Sequence, residues 1–419
     1  MKLSRKIVSL LVSGTLTFTQ LPGQIQAQPN NVNYQNHFVT PIDHDEFWER
    51  IETQKNIPKV IEYLESDFDE NYAGLYVDQE NGGIVNIGFY SIPDKNKLSK
   101  VSKILGKEAI VKYSEVNYSR NDLENVVNLI SETIEKNEDD IVTISSSFAD
   151  QQVIVGYATD EKSARKKISD NIHKNSLSRL NANEFDDNVF KFVKTKRPDS
   201  MIDRASIKVR PVSGAVQMNF EGSGFCTNGF SAKDSQNVYY LVSAGHCASE
   251  VGQNVNQSYQ NDNYIGTVQK KIFNWGGTVD VSLVKVTSSL TTPNILTTSG
   301  NNWNASGYKI IGEQTSDWEG MGVCTSLGET DTQMCGWVQE TNASVLAWGG
   351  YLTGQKKVNI PVVNGDSGSP VGAPDSKVTS NLNIYGIVSA GTKGQNVAYL
   401  SYIGNIKSQA GITTIVGSK

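Results

Sequence analysis

The sequence has few of the residues that build metal and cofactor sites. The 419-residue chain contains four cysteines and four histidines. No two cysteines stand in a Cys-x-x-Cys spacing, and His37, His44 and His173 lie apart in polar surroundings. Structural zinc sites use clustered cysteines and histidines. We therefore expect no metal and no organic cofactor, and we interpret these three histidines as surface residues.

Positive charge and long apolar runs are also scarce. The net charge of −6 argues against a protein that binds nucleic acid through a basic surface. The only apolar stretch of note, Ile7–Phe18, follows Lys2, Arg5 and Lys6 and precedes the small residue Ala27. This pattern predicts a signal peptide over residues 1–27 and a secreted, extracellular protein. A membrane anchor is the alternative, but the stretch is short for a span, and we expect no stable membrane association.

Charged residues are unevenly distributed. Of the 82 lysines, arginines, aspartates and glutamates, only 24 lie in residues 211–419. So steep a drop between stretches of similar length indicates two separately folding units. We place the boundary in the polar stretch 194–200, which gives regions 28–200 and 201–419.

The first region is predicted to be α+β. Apolar spacing indicates a helix over 45–64, broken in two by Pro58, and another over 120–137. The alternating runs Tyr72–Asp78 and Ile84–Phe89 flank an Asn-Gly pair, which predicts a β-hairpin. No motif in this region indicates catalysis.

The second region is predicted to be all-β. Short apolar runs separated by Gly, Asn, Asp and Ser turns continue from Val212 until a helical pattern near Ser401. This pattern is typical of antiparallel β-barrels, here closed by a carboxy-terminal helix.

Three short motifs in this region contain the residues that a nucleophilic catalytic site requires. His246 follows an apolar strand and precedes a cysteine, Asp280 enters another apolar strand, and Ser367 stands in Gly365-Asp366-Ser367-Gly368-Ser369-Pro370. A serine hydroxyl needs a base to take its proton, and an imidazole base works best when a carboxylate fixes its tautomer. The alternatives are a structural histidine and a turn aspartate.

These motifs resemble the chymotrypsin-like serine proteases, specifically the secreted bacterial branch of streptogrisins and alpha-lytic protease. The resemblance is strong over 205–419 and weaker over 30–200. It implies two six-stranded antiparallel barrels with a cleft between them. His246 and Asp280 would lie in the first barrel and Ser367 in the second.

The resemblance also implies how peptides are bound. The N–H groups of Gly365 and Ser367 would form the oxyanion hole, which stabilises the charge of the reaction intermediate. Ser389 would support the triad aspartate. Ser389, Ala390 and Gly391 would present backbone groups to an extended polypeptide substrate that adds as a strand.

The four cysteines allow three disulfide pairings. The resemblance implies Cys226–Cys247 and Cys324–Cys335. Free thiols at Cys324 and Cys335 are the alternative, which an exported chain disfavours.

The stretch Tyr72–Gly83 resembles the pro-regions of the same proteases. The resemblance implies a folding template and temporary inhibitor, so that the chain's partners are polypeptide substrates and its own pro-region, in cis or in trans. Barrels rich in long-range pairings fold slowly, which gives such a template a physical purpose. The alternative is a binding domain that the mature protein keeps. We expect a monomer.

The sequence departs from the family pattern in three places. No Ile-Val-Gly-Gly start occurs near residue 210. The cation expected beside a buried Asp366 is missing, since Thr325 follows Cys324 and no arginine occurs after Arg210; a lysine, the mature amino terminus or several hydrogen bonds could replace it. Val363 stands where a bracing cysteine is common.

We expect a preference for an apolar or small side chain at the cleaved position, which would lie in a side-chain pocket. Its walls would come from 360–364, 388–391 and 396–399, which contain no acidic residue. Val388 stands where glutamate-selective relatives carry a histidine. Two other functions stay open: a catalytically silent binding or adhesion protein, and an esterase on the same fold.

Overall fold

The computed structural model describes residues 40–106, 109–132, 141–174, 187–195, 208–257, 263–299, 302–330, 332–392 and 395–418. The predicted signal peptide, His37 and the boundary near residue 200 lie outside these residues. The side chains of His44 and His173 lie outside them as well. We call 40–195 the amino-terminal region and 208–418 the carboxy-terminal region.

Helices are few and lie mostly in the amino-terminal region. The described helices are α1 (His44–Gln54), α2 (Ile57–Phe68), α3 (Lys95–Leu105), α4 (Arg120–Ser131), α5 (Glu161–Lys174) and α6 (Ile403–Ala410). The amino-terminal strands are β1 (Tyr72–Asp78), β2 (Ile84–Phe89), β3 (Val111–Glu115), β4 (Ile141–Ser147), β5 (Gln152–Tyr157) and β6 (Phe190–Lys194).

The carboxy-terminal region is mostly β, with α6 near its end. Its strands are β7 (Gln217–Phe220), β8 (Gly224–Thr227), β9 (Phe230–Asp234), β10 (Tyr239–Ser243), β11 (Asn254–Gln257), β12 (Tyr264–Phe273), β13 (Asp280–Val286), β14 (Asn294–Ser299), β15 (Asn302–Glu313), β16 (Gly322–Leu327), β17 (Thr332–Ala347), β18 (Gly350–Val358), β19 (Pro370–Pro374), β20 (Asn381–Gly391), β21 (Ala398–Tyr402) and β22 (Ile412–Ile415).

Two local predictions can be compared with these elements. The hairpin is present, since β1 and β2 pair antiparallel from Asp78–Ile84 outward. The helix over 45–64 is divided in two, but the break falls before Pro58, which lies in the first turn of α2. Proline fits there because the first-turn N–H groups have no partner within the helix. The prediction that Pro58 itself breaks the helix was therefore wrong in position.

The strands of the carboxy-terminal region form two large sheets. Eight strands run in the order β22-β9-β10-β13-β12-β11-β7-β8. An eleven-stranded sheet contains β14 to β21 together with β4, β5 and β6. Neither sheet has the six strands expected of each barrel, so that finer expectation stays a prediction.

The second sheet continues across the boundary between the two regions. Strand β4 pairs antiparallel with β17, with Ser145 opposite Ala343 and Thr143 opposite Val345. Backbone pairing satisfies the N–H and C=O groups that an edge strand would otherwise expose. The amino-terminal region is therefore hydrogen-bonded to the carboxy-terminal region through a shared sheet.

The hydrophobic core is shared in the same way. One cluster joins Phe47 of α1 to Trp337 of β17, whose rings lie 4.7 Å apart. A second joins α2, α3 and β1 to the buried Trp318 and Met321, and a third packs α4, β4 and β5 around Tyr351. Within the described ranges, no helix combines the length and apolar character needed to cross a membrane.

Candidate active site

His246 lies just beyond the end of β10, a strand of the eight-stranded sheet. Strand β10 stops at Ser243, and a single 3-10 turn, Gly245–Cys247, carries the imidazole. Gly245 packs against β12 and β13, since an added Cβ would lie 2.4 Å from the carbonyl oxygen of Ile272 in β12 and 2.9 Å from the backbone of Val281 in β13. This close approach brings His246 beside Asp280, the first residue of β13.

The structure brings His246, Asp280 and Ser367 together, although 121 positions separate His246 from Ser367. The imidazole Nδ1 lies 2.6 Å from Asp280 Oδ2, and Nε2 lies 3.0 Å from Ser367 Oγ. The backbone N–H of His246 donates to Asp280 Oδ1 at 2.8 Å. Since a carboxylate only accepts, Nδ1–H donates to it, and Nε2 is left to accept from the serine hydroxyl.

Asp280 is fully buried and its polar groups are satisfied. Both carboxylate oxygens accept from His246, and its backbone N–H donates to Ser401 Oγ at 2.8 Å. Ser389, which we expected to support this aspartate, has its hydroxyl 2.8 Å from Ser401 Oγ. Its support of Asp280 is therefore indirect, and Ser401 is a residue that the sequence analysis missed.

The turn that carries Ser367 depends on two glycines with positive φ. Gly365 has φ +94° and Gly368 has φ +90°. A Cβ on Gly368 would lie 2.2 Å from the carbonyl oxygen of Thr227, so that only glycine fits behind the serine. Thr227 fixes the same turn, because its N–H donates to Ser367 O at 2.7 Å and its hydroxyl to Gly365 O at 2.6 Å.

The expected oxyanion donors are available for a ligand. Among the described residues, the N–H groups of Gly365 and Ser367 have no hydrogen-bond acceptor. Ser367 is only 5% exposed. Unpaired backbone donors beside a nucleophile are what an oxyanion site requires.

Asp366 is held by hydrogen bonds. The backbone N–H groups of Glu329, Thr330 and Val363 donate to its carboxylate at 2.9, 3.2 and 2.9 Å. No cationic side chain of the described residues contacts it. Burial raises the pKa of Asp366 to about 6, while these N–H groups act in the opposite direction. Of the three replacements considered, the structure therefore contains the set of hydrogen bonds.

Two disulfides lie in this region. Cys226 is joined to Cys247 and Cys324 to Cys335, the pairing that the family resemblance implied. The first joins β8 to the turn that carries His246. Although His246 lies close to both sulfurs of this bridge, neither sulfur is a thiolate, so the group is unsuited to hold a metal.

The expected pocket walls approach each other closely. A Cβ on Gly391 would lie 2.1 Å from Val362 Cγ2. Val362 is 9% exposed and Val388 is 2% exposed, and both belong to one hydrophobic cluster. Little space therefore separates Val362 from Gly391.

Trp348 is a second site residue that the sequence analysis missed. Its indole stacks on the His246 imidazole, with ring centroids 4.3 Å apart and an interplanar angle of 13°. The edge of Phe273 lies on the same imidazole at 5.9 Å. An aromatic residue before Gly349-Gly350, between two strands of one hairpin, was the only available signal.

A separate group of buried charges joins the two regions. Arg120 of α4 donates to Asp317 Oδ1 at 2.6 Å and to Asp317 O at 2.8 Å, and Lys356 lies 2.6 Å from the other carboxylate oxygen. Burial acts to raise the pKa of Asp317, but Lys356 and Arg120 outweigh it and hold that pKa below its usual value.

Glu319 lies in the same contact area, and among the residues that the structure describes no cationic side chain forms an ion pair with its carboxyl group. It accepts from the backbone N–H groups of Phe148 at 2.8 Å and Ala149 at 3.2 Å, at the turn between β4 and β5. Burial, with a smaller contribution from Glu340, raises the pKa of Glu319 to about 8, although both N–H groups and Arg120 act against it.

Among known proteins, only solved structures show a similarity to this chain. No family model matches the chain, and no curated protein matches it. Among solved structures, Thermobifida fusca Protease A is 26% identical over 49% of this chain and 98% of its own, with a TM-score of 0.39. Nocardiopsis Protease is 21% identical over 48% and 99%, with a TM-score of 0.39. Cellulomonas bogoriensis chymotrypsin is 20% identical over 49% and 98%, with a TM-score of 0.38. Each of these structures is therefore similar to about half of this chain.

Proposed function

We propose that the chain is a secreted serine endopeptidase, made as a precursor, with His246, Asp280 and Ser367 as its catalytic residues. One observation carries the proposal: His246 Nε2 lies 3.0 Å from Ser367 Oγ while Nδ1 lies 2.6 Å from a buried carboxylate. This is the arrangement in which a neutral imidazole can act as a general base toward a hydroxyl.

The reaction follows from these contacts. Ser367 Oγ attacks the carbonyl carbon of the peptide, and its proton moves to His246 Nε2. The N–H groups of Gly365 and Ser367 hold the oxyanion. The imidazolium then protonates the leaving amine, so that the C–N bond breaks and an acyl-enzyme remains. Water attacks this ester, gives a proton to His246, and releases the acid, while the proton returns to Ser367 Oγ.

We assign substrate binding to the edge formed by Ser389, Ala390 and Gly391, where an extended peptide would add as a strand. A preference for small or apolar side chains is supported by the short distance between Val362 and the Gly391 position. Val362→Gly should broaden cleavage of a peptide library toward larger apolar residues. Cleavage after Arg, Lys or Glu by the unaltered protein would contradict this preference.

We assign residues 28–200 to a removable pro-region and residues 1–27 to a signal peptide. The shared sheet between β4 and β17 and the three shared hydrophobic clusters support a template and inhibitor role, because they bind the amino-terminal region along the catalytic one. The protease would act as a monomer outside the cell, with its own pro-region as a partner.

The test is intact mass and hydrolysis of the secreted product for the unaltered chain, Ser367→Ala and Ser369→Ala. Ser369 lies in the same turn, and its hydroxyl accepts from the backbone N–H of Gly328 at 3.3 Å. We expect Ser367→Ala to keep the amino-terminal region and lose peptide hydrolysis, while Ser369→Ala loses the region as the unaltered chain does. Hydrolysis of esters without peptides would favour an esterase, and no hydrolysis by any of the three would favour a silent binding protein.

A further inference from the structure

Trp348 lies at the tip of the hairpin formed by β17 and β18. Ala347 pairs with Gly350, so that Trp348 and Gly349 form a two-residue turn. Both have positive φ, +55° and +70°. Turns of this kind favour Asn, Asp or Gly at the first position, and a bulky residue there is strained. Residues strained in this way occur mainly at active sites and ligand-binding sites.

Two contacts place the Trp348 indole over the catalytic residues. The ring stacks on the His246 imidazole at 4.3 Å, and Nε1–H donates to the carbonyl oxygen of Ser389 at 3.0 Å. Ser389 lies at a register shift in the pairing of β20 with β21, between Val388 and Ala390. Within the described residues, the register of this pairing gives Ser389 no partner residue on β21.

The Ser389 carbonyl belongs to the edge that we assign to the substrate main chain. A peptide that adds there as a strand donates its own N–H groups to the carbonyls of the edge. The indole N–H already uses the first of these acceptors. A peptide N–H and the indole N–H therefore approach the same carbonyl oxygen, and the indole ring lies against the edge where the peptide would add.

Below its tip the hairpin is fixed by strand pairing, hydrogen bonding and burial, whereas the tip is exposed. Val345 pairs with Thr143 of β4, Ser344 Oγ lies 2.7 Å from Ser131 Oγ, and Tyr351 is fully buried. Trp348 itself is 36% exposed. Rotation of the Trp348 side chain would break one hydrogen bond and one ring stack and leave the paired strands in place.

The geometry points to Trp348 as a displaceable cover, which a peptide must move from the Ser389 carbonyl before its main chain can bind. This inference rests on the proposed function. It makes Trp348 a determinant of which substrates react: ligands that use the Ser389 carbonyl meet the cover, whereas small reagents that react only with Ser367 do not depend on that carbonyl.

The opposing possibility is a fixed wall, in which Trp348 stays in place and packs against the substrate. The two roles use different parts of the side chain. A cover needs the N–H bond to Ser389, whereas a wall needs only the ring. Trp348→Phe keeps an aromatic ring and removes the N–H, so this substitution separates the two roles.

The experiment uses the secreted product of the full chain, unaltered and with Trp348→Phe, Trp348→Ala or Trp337→Phe. Trp337 is the control, since it lies in β17, the strand that leads to Trp348, and its ring packs on Phe47. A small organofluorophosphonate without a peptide measures labelling of Ser367, and Ser367→Ala gives the background. A tetrapeptide anilide measures kcat/KM per labelled site, so that differences in processing do not enter.

We expect Trp348→Phe to raise kcat/KM for the tetrapeptide roughly 3- to 10-fold, the effect of one hydrogen bond removed from the competing state. Its labelling rate should stay within about twofold of the unaltered chain. Trp348→Ala should raise kcat/KM in the same direction, and Trp337→Phe should change neither rate.

Two results would overturn the inference while the proposed function stands: normal labelling with unchanged kcat/KM in Trp348→Phe, or a fall in kcat/KM in both Trp348 variants, which identifies a wall. Absence of labelling above the Ser367→Ala background would instead refute the proposed function and the cover with it. Labelling without peptide hydrolysis in every variant would refute endopeptidase activity, and again the cover.

Discussion

The active site of the carboxy-terminal region and the contact between the two regions are stabilised by different interactions. In the carboxy-terminal region, the site depends on glycine turns, backbone hydrogen bonds to the buried Asp366, a buried carboxylate–imidazole pair and two disulfides. The contact between the regions depends on a shared sheet, apolar clusters and several buried ionisable groups. Ionisable groups respond to pH and to loss of a partner more than neutral contacts do. The site and the contact should therefore be separable by experiment.

The largest expected effect lies in the site. Asp280→Asn should lower kcat about 10,000-fold, because the amide favours the wrong imidazole tautomer and does not stabilise the imidazolium. Asp317→Asn is the matched control, a buried aspartate in the contact area. Peptide hydrolysis per mole of purified protein measures both. An equal loss in Asp317→Asn would show that the site is not independent of the contact.

The next effect concerns pH and the contact between the regions. Glu319 has a pKa of about 8 when buried and about 4.5 when exposed, so its protonated form stabilises the contact. That contribution is complete below pH 4.5 and is lost as pH rises through about 8, with a slope of at most about 1.4 kcal/mol per pH unit.

Thermal unfolding of the Ser367→Ala chain between pH 6.5 and 9 measures this slope. The Glu319→Gln variant should be flatter over the same range. Asp366 also has a raised pKa, about 6. Its contribution to the pH dependence of stability therefore falls mostly at pH values below the measured range. A slope that Glu319→Gln does not reduce would assign the pH dependence to another group.

The disulfides should stabilise the carboxy-terminal region alone, since all four cysteines lie in it. Replacing Cys226 and Cys247 by Ala should lower its free energy of unfolding by about 3 kcal/mol in the chain-entropy view. The bridge Cys324–Cys335 spans 11 residues against 21, and its loss should cost about 0.5 kcal/mol less. Denaturant unfolding in the Ser367→Ala background measures both, and the reverse order would contradict a loop-length effect.

The smallest expected effect is the change in stability when one side chain is removed from the contact between the regions. Arg120→Ala removes the bonds to Asp317 and Glu124, while Lys356 still neutralises Asp317. We expect a loss of about 2 kcal/mol in stability of the contact. Arg165→Ala is the control, since Arg165 pairs with Glu161 on an exposed helix face and lies over the Phe192 ring within the amino-terminal region, and its loss should change stability by less than about 1 kcal/mol. Equal effects in the two variants would contradict a specific role for Arg120.

Local patterns predicted the local elements well. The Asn-Gly hairpin of β1 and β2 and the helix beginning at Arg120 depend on neighbouring residues, which are adjacent in the sequence. The break near Pro58 was misplaced, because proline is compatible with the first turn of α2 as well as with a break. The number of strands in each sheet was not predictable, because it depends on pairings between distant segments.

By itself, the sequence determined the order and chemistry of the reactive residues: a histidine after a strand, an aspartate entering a strand, and a serine between glycines. Only the tertiary structure decided how they meet and what surrounds them. It places hydrogen bonds instead of a cation on Asp366, Ser401 between Ser389 and Asp280, and Trp348 over His246. Each of these contacts joins residues from different strands or turns. Their distance depends on sheet register and turn geometry, which no local period in the sequence encodes.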